Sequence, residues 1–193
     1  MSGGRNCYPD SDVLINKYNI RDKEMLEKFE IQKVFAKLLG LDVKPTRVSY
    51  TYNVVHLVNI HKYLFGDIYE WAGSVRSVNI SKGNQFCRCE LIEEQMSQIM
   101  GKLADENYLY GLDKEKLAER LAYYIGEINA IHPFREGNGR SQRMFIEVLA
   151  LRNRYHLDFA LISNEEMLEA SMQTFNLKYE LMTALLLRAM NKY

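Results

Sequence analysis

A chain of 193 residues, 47% hydrophobic and 26% charged, is long enough to bury one core, and a single domain over 1–193 is the expectation, its centre at about 51–155 with helices flanking both ends. Its 25 basic and 25 acidic side chains cancel, which leaves no electrostatic footprint for nucleic acid or an anionic membrane surface. The start Met1–Asn6 is polar, no apolar core of signal length follows, and no run approaches the ~20 apolar residues that span a bilayer, so the reading is a cytoplasmic protein.

Asp22 caps a helix running to about Leu39, with Met25, Phe29, Gln32, Leu38 and Leu39 as its apolar face and Gly40 as its stop. A second helix spans roughly Thr51 to Leu64, with Val54, Val55, Val58, Tyr63 and Leu64 in the core; His56 and His61 read as surface or satisfied polar residues and receive no function. Val75–Ile80 and Phe86–Arg88 flank the turn formers Ser81-Lys82-Gly83-Asn84 and predict a β-hairpin. Its exposed edge is either an ordinary surface hairpin or an edge that pairs with an extended target segment. Cys87 and Cys89 share a face of that strand; together with Cys7 they form an odd set without zinc spacing, which reads as free thiols in a reducing compartment.

Leu91–Leu103 and Lys114–Ile131 are two further helices, the second aligning Leu117, Leu121, Ile125 and Ile128 and delivering His132 at its end. Gln142–Leu151 lacks Gly and Pro and spaces Met144, Val148 and Leu151 as i, i+4, i+7, so a helix starts just after Gly137 and Gly139. Glu165–Phe175 and Tyr179–Met190, the latter with Leu181, Ala184, Leu185 and Arg188 at helical spacing, complete an all-α helical bundle with a small β-hairpin flap.

The stretch His132-Pro-Phe-Arg-Glu-Gly-Asn-Gly-Arg-Ser-Gln-Arg143 concentrates chemistry. His132 has an ordinary pKa of about 6.5 and is the candidate general base. Glu136 offers the hard oxygen that Mg2+ prefers, and a nucleotide-bound Mg2+ needs only one or two protein carboxylates. Gly137 and Gly139 can take positive φ, so backbone N–H groups around Asn138 can converge on an anion. The following helix adds its N-terminal N–H groups and the positive end of its dipole. Arg140 and Arg143 project from one face of the first turn, where cations oppose the dipole unless a polyanion compensates, and a triphosphate is the natural counter-charge. Phe134 reads as the anchor of the loop in the core, with Pro133 and Arg135 structural or at the surface.

This stretch matches every fixed position of the Fic family signature, His-x-Phe-x-(Asp/Glu)-Gly-Asn-Gly-Arg-x-x-Arg. The resemblance extends to Ile60–Gly73, which is similar to the family's helix and Trp-Ala-Gly turn, to Val75–Asn84, similar to its hairpin flap beside the active site, and to Cys7–Lys17, similar to the N-terminal entry of small bacterial members. It implies transfer of AMP from ATP to a Tyr, Thr or Ser hydroxyl of a target protein docked on the flap. His132 would take the hydroxyl proton, Glu136 would hold Mg2+, and Gly137, Asn138 and Gly139 would hold the α- and β-phosphates. Arg140 and Arg143 would neutralise the β/γ end, with Lys82 and Gly83 bordering the nucleotide. Doc-type kinases of the family carry lysine where this chain has Gly139, which favours nucleotidyl transfer here.

Family members are commonly restrained by a helix of pattern (Ser/Thr)-x-x-x-Glu-(Gly/Asn), whose glutamate pairs with the second signature arginine. No Ser or Thr of this sequence starts that pattern: Ser163 leads to Met167, Ser171 to Phe175 and Thr46 to Tyr50. The expectation is a toxin-like half of a two-protein system, with a small antitoxin-like protein placing a glutamate opposite Arg143. The alternatives that remain open are an unrestrained or oligomer-controlled enzyme, a helical interaction module that binds ATP and transfers nothing or only weakly, and a Doc-like kinase.

Overall fold

The computed structural model describes residues 6–43 and 50–192; the polar start at 1–5 and the side chains of Leu39 and Lys82, all considered above, lie outside the described residues. At the centre of the bundle is the helix expected to end at His132. Lys114–Ile131 (α4) is capped by Asp113, whose side chain accepts the Lys116 N–H at 2.8 Å. Leu117, Leu121 and Ile128 are fully buried and Ile125 nearly so. Around α4 pack Ile92–Asp105 (α3), Asn138–Arg152 (α5), Asn164–Thr174 (α6) and Glu180–Ala189 (α7). Gly126 marks a close approach of α6 to α4, since a Cβ there would lie 2.8 Å from Thr174 Cβ.

Lys23–Val43 (α1) begins where expected, with the Met25 N–H donating to Asp22 Oδ1 at 2.8 Å. It continues through Gly40, because an isolated glycine lowers helix propensity without forbidding the conformation. Its buried stripe is Leu26, Glu30 and Val34, while Met25 is 60% exposed; the expected face is rotated by about one position because a buried glutamate carries no apolar signal. Val54–Phe65 (α2) is capped by Asn53, three residues later than the expected Thr51 start. Leu57, Ile60, Leu64 and Phe65 face inward with His56 and His61, and Val55 faces solvent.

The flap is shorter than its sequence pattern. Only Ser81–Lys82 (β1) and Asn84–Gln85 (β2) pair, antiparallel about Gly83 at φ +78°. The arms Val75–Ile80 and Phe86–Arg88 are joined by the bond from Phe86 N–H to Ile80 O at 3.4 Å but are not strands, because other donors leave the hairpin: Arg76 N–H goes to Pro133 O at 2.9 Å and Cys87 N–H to Ala130 O at 3.0 Å. Cys89 opens a 3-10 turn, Cys89–Leu91, so the two cysteines do not share a strand face; Cys7, Cys87 and Cys89 are all free thiols.

A second antiparallel pair, Tyr155–Leu157 (β3) with Met190–Lys192 (β4), was not anticipated and ends α7 at Ala189. Three residues are too few to display a period-2 pattern. On α7 the inward side chains are Met182, Leu185, Leu186 and Ala189, with Ala184 and Arg188 outward. On α5 they include Phe145, Val148 and Leu149, and Leu151 is 39% exposed.

Candidate active site

His132 follows the last residue of α4 and takes a left-handed backbone, φ 51° and ψ 62°. That conformation is costly for a residue with a Cβ and persists only where surroundings enforce it. Two groups do so. Arg76, 4% exposed, spends its guanidinium on four carbonyls: His132 O at 2.8 Å, Ile131 O at 3.2 Å, Val78 O at 2.6 Å and Cys87 O at 2.5 Å. A cation there satisfies the open carbonyls of a helix C-terminus and the negative end of its dipole. The buried Phe86 stacks on the imidazole, ring centroids 3.8 Å apart and planes 18° apart. Arg76 was missed from sequence because a lone arginine in an expected hairpin strand looks like any surface arginine.

His132 Nδ1 lies 3.2 Å from Asn129 O. A carbonyl only accepts, so Nδ1 carries the proton and the lone pair is on Nε2, the tautomer a general base requires.

Beyond Phe134, which is 1% exposed, the loop is closed by Asn138. The Asn138 side chain, 3% exposed, accepts the Phe134 N–H at 2.9 Å and donates to Phe134 O at 2.8 Å. Its side chain thus serves the loop, and its backbone N–H, at the start of α5, is placed to face an anion. Gly137 has φ +80°, and a Cβ there would lie 2.4 Å from the Phe65 ring. Gly139 has no positive φ, contrary to expectation, because it already lies inside α5; a Cβ there would meet only Arg143 Nη1 at 3.6 Å.

A cleft of about 670 Å³ opens between α1 and the start of α5, lined by Glu30, Tyr69, Glu136, Gly137, Gly139, Arg140 and Arg143 among others. It therefore brings together the carboxylate, the glycines and both arginines. His132 and Gly83 are not in its lining; the base belongs to the flap side of the loop.

The two arginines are held differently. Arg140 pairs with Glu30 at 2.5 Å, lies 3.6 Å from Glu136 Oε1 and stacks over the Phe65 ring at 4.7 Å. Glu30 was not anticipated: it is 7% exposed on α1 and also accepts the Tyr69 hydroxyl at 2.5 Å. Arg143 has no ion pair with a described residue, and burial, reinforced by the Arg140 charge, pulls its guanidinium below its ordinary pKa. An anion between them would relieve that repulsion.

The Glu136 carboxylate is 36% exposed, and its Oε1 accepts the Gly137 N–H at 2.8 Å. No group of three or more His, Cys, Asp or Glu side chains among the described residues could hold a metal by itself. One hard carboxylate beside a phosphate-sized cradle does fit Mg2+ bound jointly with a nucleotide. Behind it, His61 Nε2 lies 2.9 Å from Glu136 O and His61 Nδ1 accepts the Gly73 N–H at 2.8 Å, so this histidine is structural in place and buried.

The helical bundle thus ends one helix in a histidine and starts the next under two arginines, with a cleft beside the second helix start. Residues 51–150 match the Fic/DOC family model, and the chain belongs to that family. It is 40% identical over 186 residues to the protein adenylyltransferase VbhT of Bartonella schoenbuchensis, covering 96% of this chain and 38% of that protein. It is 38% identical over 159 residues to the probable protein adenylyltransferase Fic of Escherichia coli, covering 82% and 78%. The fold is similar to the N-terminal Fic domain, with bound ADP, of a putative cell filamentation protein from Bartonella quintana: TM-score 0.89, 27% identity, 97% of this chain and 94% of that one. The chain thus spans well under half of VbhT and most of the shorter relative.

Proposed function

We propose that the chain is a protein adenylyltransferase, moving AMP from ATP to a Tyr, Thr or Ser hydroxyl of a target protein. The observation that carries the reading is the polarity of the loop: a base of fixed tautomer at one end of His132–Arg143 and a cationic helix start at the other. The names of three relatives, one a protein adenylyltransferase and two probable ones, support the same chemistry.

In this reading the backbone N–H groups of Gly137, Asn138 and Gly139 bind phosphate oxygens, and Arg143 offers a planar fork to the terminal phosphate. Arg140, already tied to Glu30 through one nitrogen, lends its remaining donors. His132 Nε2 accepts the proton of the target hydroxyl, whose oxygen bonds to the α-phosphorus as the bond to pyrophosphate breaks. Mg2+ held by Glu136 would neutralise phosphate charge. Ser81, Gly83 and Gln85 of the flap are exposed, and a target segment would pair along that edge, with Lys82 and Gly83 near the nucleotide.

The charge left on Arg143 also fits regulation from outside the chain: a glutamate from a small antitoxin-like helical protein would occupy the place of the terminal phosphate. No described helix is long and apolar enough to cross a membrane, and a cytoplasmic setting, where ATP is abundant, suits the reaction.

Mass spectrometry of a lysate treated with this chain and ATP tests the proposal. Target peptides gain an adenylyl group with the natural chain and none with His132→Ala, which still binds ADP. Identical peptide masses in treated and untreated lysates contradict it.

A further inference from the structure

We infer that His61 is a positioning residue for the phosphate site, holding the Glu136 peptide through its Nε2–H so that the Glu136 carboxylate stays turned toward the cleft. The inference rests on the reading of Glu136 as the Mg2+ ligand.

The ring is fully buried on α2, where three segments meet: α2 itself, the Trp71-Ala72-Gly73 turn and the signature loop. The Gly73 N–H donates to Nδ1 at 2.8 Å. Nδ1 is therefore the acceptor, the proton is on Nε2, and the contact of 2.9 Å to Glu136 O is a donated hydrogen bond. Phe134 stacks on the ring with centroids 3.9 Å and planes 17° apart, and Phe65 lies against it at 4.9 Å. Two hydrogen bonds of opposite polarity and a stacked face leave the imidazole one orientation and one tautomer.

What it grips is the peptide just before Gly137, whose φ of +80° turns the chain into α5. The orientation of that peptide sets both the Gly137 N–H, which binds Glu136 Oε1 at 2.8 Å, and the path of the Glu136 side chain. The grip has a rigid back. Gly73, at φ +87°, lies so close to α2 that a Cβ would be 2.9 Å from Lys62 Cβ. Space filling and stacking would be served by phenylalanine at position 61; only a ring with one donor and one acceptor links Gly73 to Glu136. Because both nitrogens are used, His61 is not itself a metal ligand.

Gln and Asn substitutions separate the two halves of this link, since a Gln amide nitrogen reaches the Nε2 position and an Asn oxygen the Nδ1 position. ADP is titrated calorimetrically into the natural chain, His61→Gln and His61→Asn, each with and without Mg2+. The natural chain binds ADP more tightly with Mg2+, His61→Gln keeps that gain to within about threefold, and His61→Asn loses about tenfold of it, the scale of outer-shell changes at metal sites. Equal losses in both variants, or none in either, overturn the inference. No Mg2+ effect in the natural chain overturns the metal role of Glu136 first. Should a variant not fold, nitrogen NMR of the natural chain decides: a protonated Nε2 on His61 is expected, and a protonated Nδ1 overturns the positioning role.

Discussion

Glu30 and Arg140, 110 residues apart in sequence, form a 2.5 Å ion pair that ties the first long helix to the start of the signature helix. A cation in the first turn of a helix opposes the dipole. Glu30 supplies the compensation for Arg140 from within the chain, and Arg143 is left to find its anion elsewhere. Glu30→Gln keeps the shape and removes the charge, and breaking one charge-assisted pair of this kind costs about 2 kcal/mol. The melting temperature is expected to fall by roughly 4–8 °C for a chain of this size. An unchanged thermal melt would show that Arg140 does not depend on Glu30.

The two signature glycines respond differently to alanine. Gly137→Ala needs a left-handed alanine with its Cβ 2.4 Å from the Phe65 ring, so the variant is strongly destabilised and loses ADP binding. Gly139→Ala meets only ordinary contact inside α5, where alanine is favoured by about 1 kcal/mol. Paired thermal melts check this: the first variant drops sharply, while the second holds or rises. Similar melts for both would contradict the assigned backbone conformations.

Arg76 is the hinge between flap and base. Arg76→Lys retains the charge but has no planar fork to serve four carbonyls. We expect kcat to fall at least tenfold with ADP affinity unchanged, because the cleft lined by Arg140 and Arg143 does not include Arg76. Loss of ADP affinity in step with kcat would mean that the whole loop had collapsed.

Burial pushes both His56 and His61 down to about 4. Their ordinary value near 6.5 applies in the unfolded chain, so between 6.5 and 4 the unfolded state binds more protons. Stability is therefore full above pH 6.5 and falls as pH drops through that window, by up to about 1.4 kcal/mol per pH unit for each histidine. Urea titrations at pH 7.5 and 5 check the sign: a lower midpoint at pH 5 is expected, and an equal or higher one contradicts the neutral state of these rings.

Much of this was readable in the residues. Lys114–Ile131 stands out because Leu117, Leu121, Ile125 and Ile128 recur at helical spacing, and α4 has those bounds. The signature stretch was readable because its chemistry is contiguous. Glu30, Arg76 and His61 were not, since each acts on the site from another element, and a buried polar residue with a distant partner has no local pattern. The flap misled for a related reason: Arg76 and Cys87 look like strand residues, yet their N–H groups bond to Pro133 and Ala130 across the fold.

The central claim, transfer of the adenylyl group, is tested most directly by incubating the chain and a lysate with ATP labelled at either the α- or the γ-phosphorus. Protein-bound label is expected from α-labelled ATP, with none from γ-labelled ATP and none from either with His132→Ala. Label retained from the γ-position would contradict the account and identify a kinase.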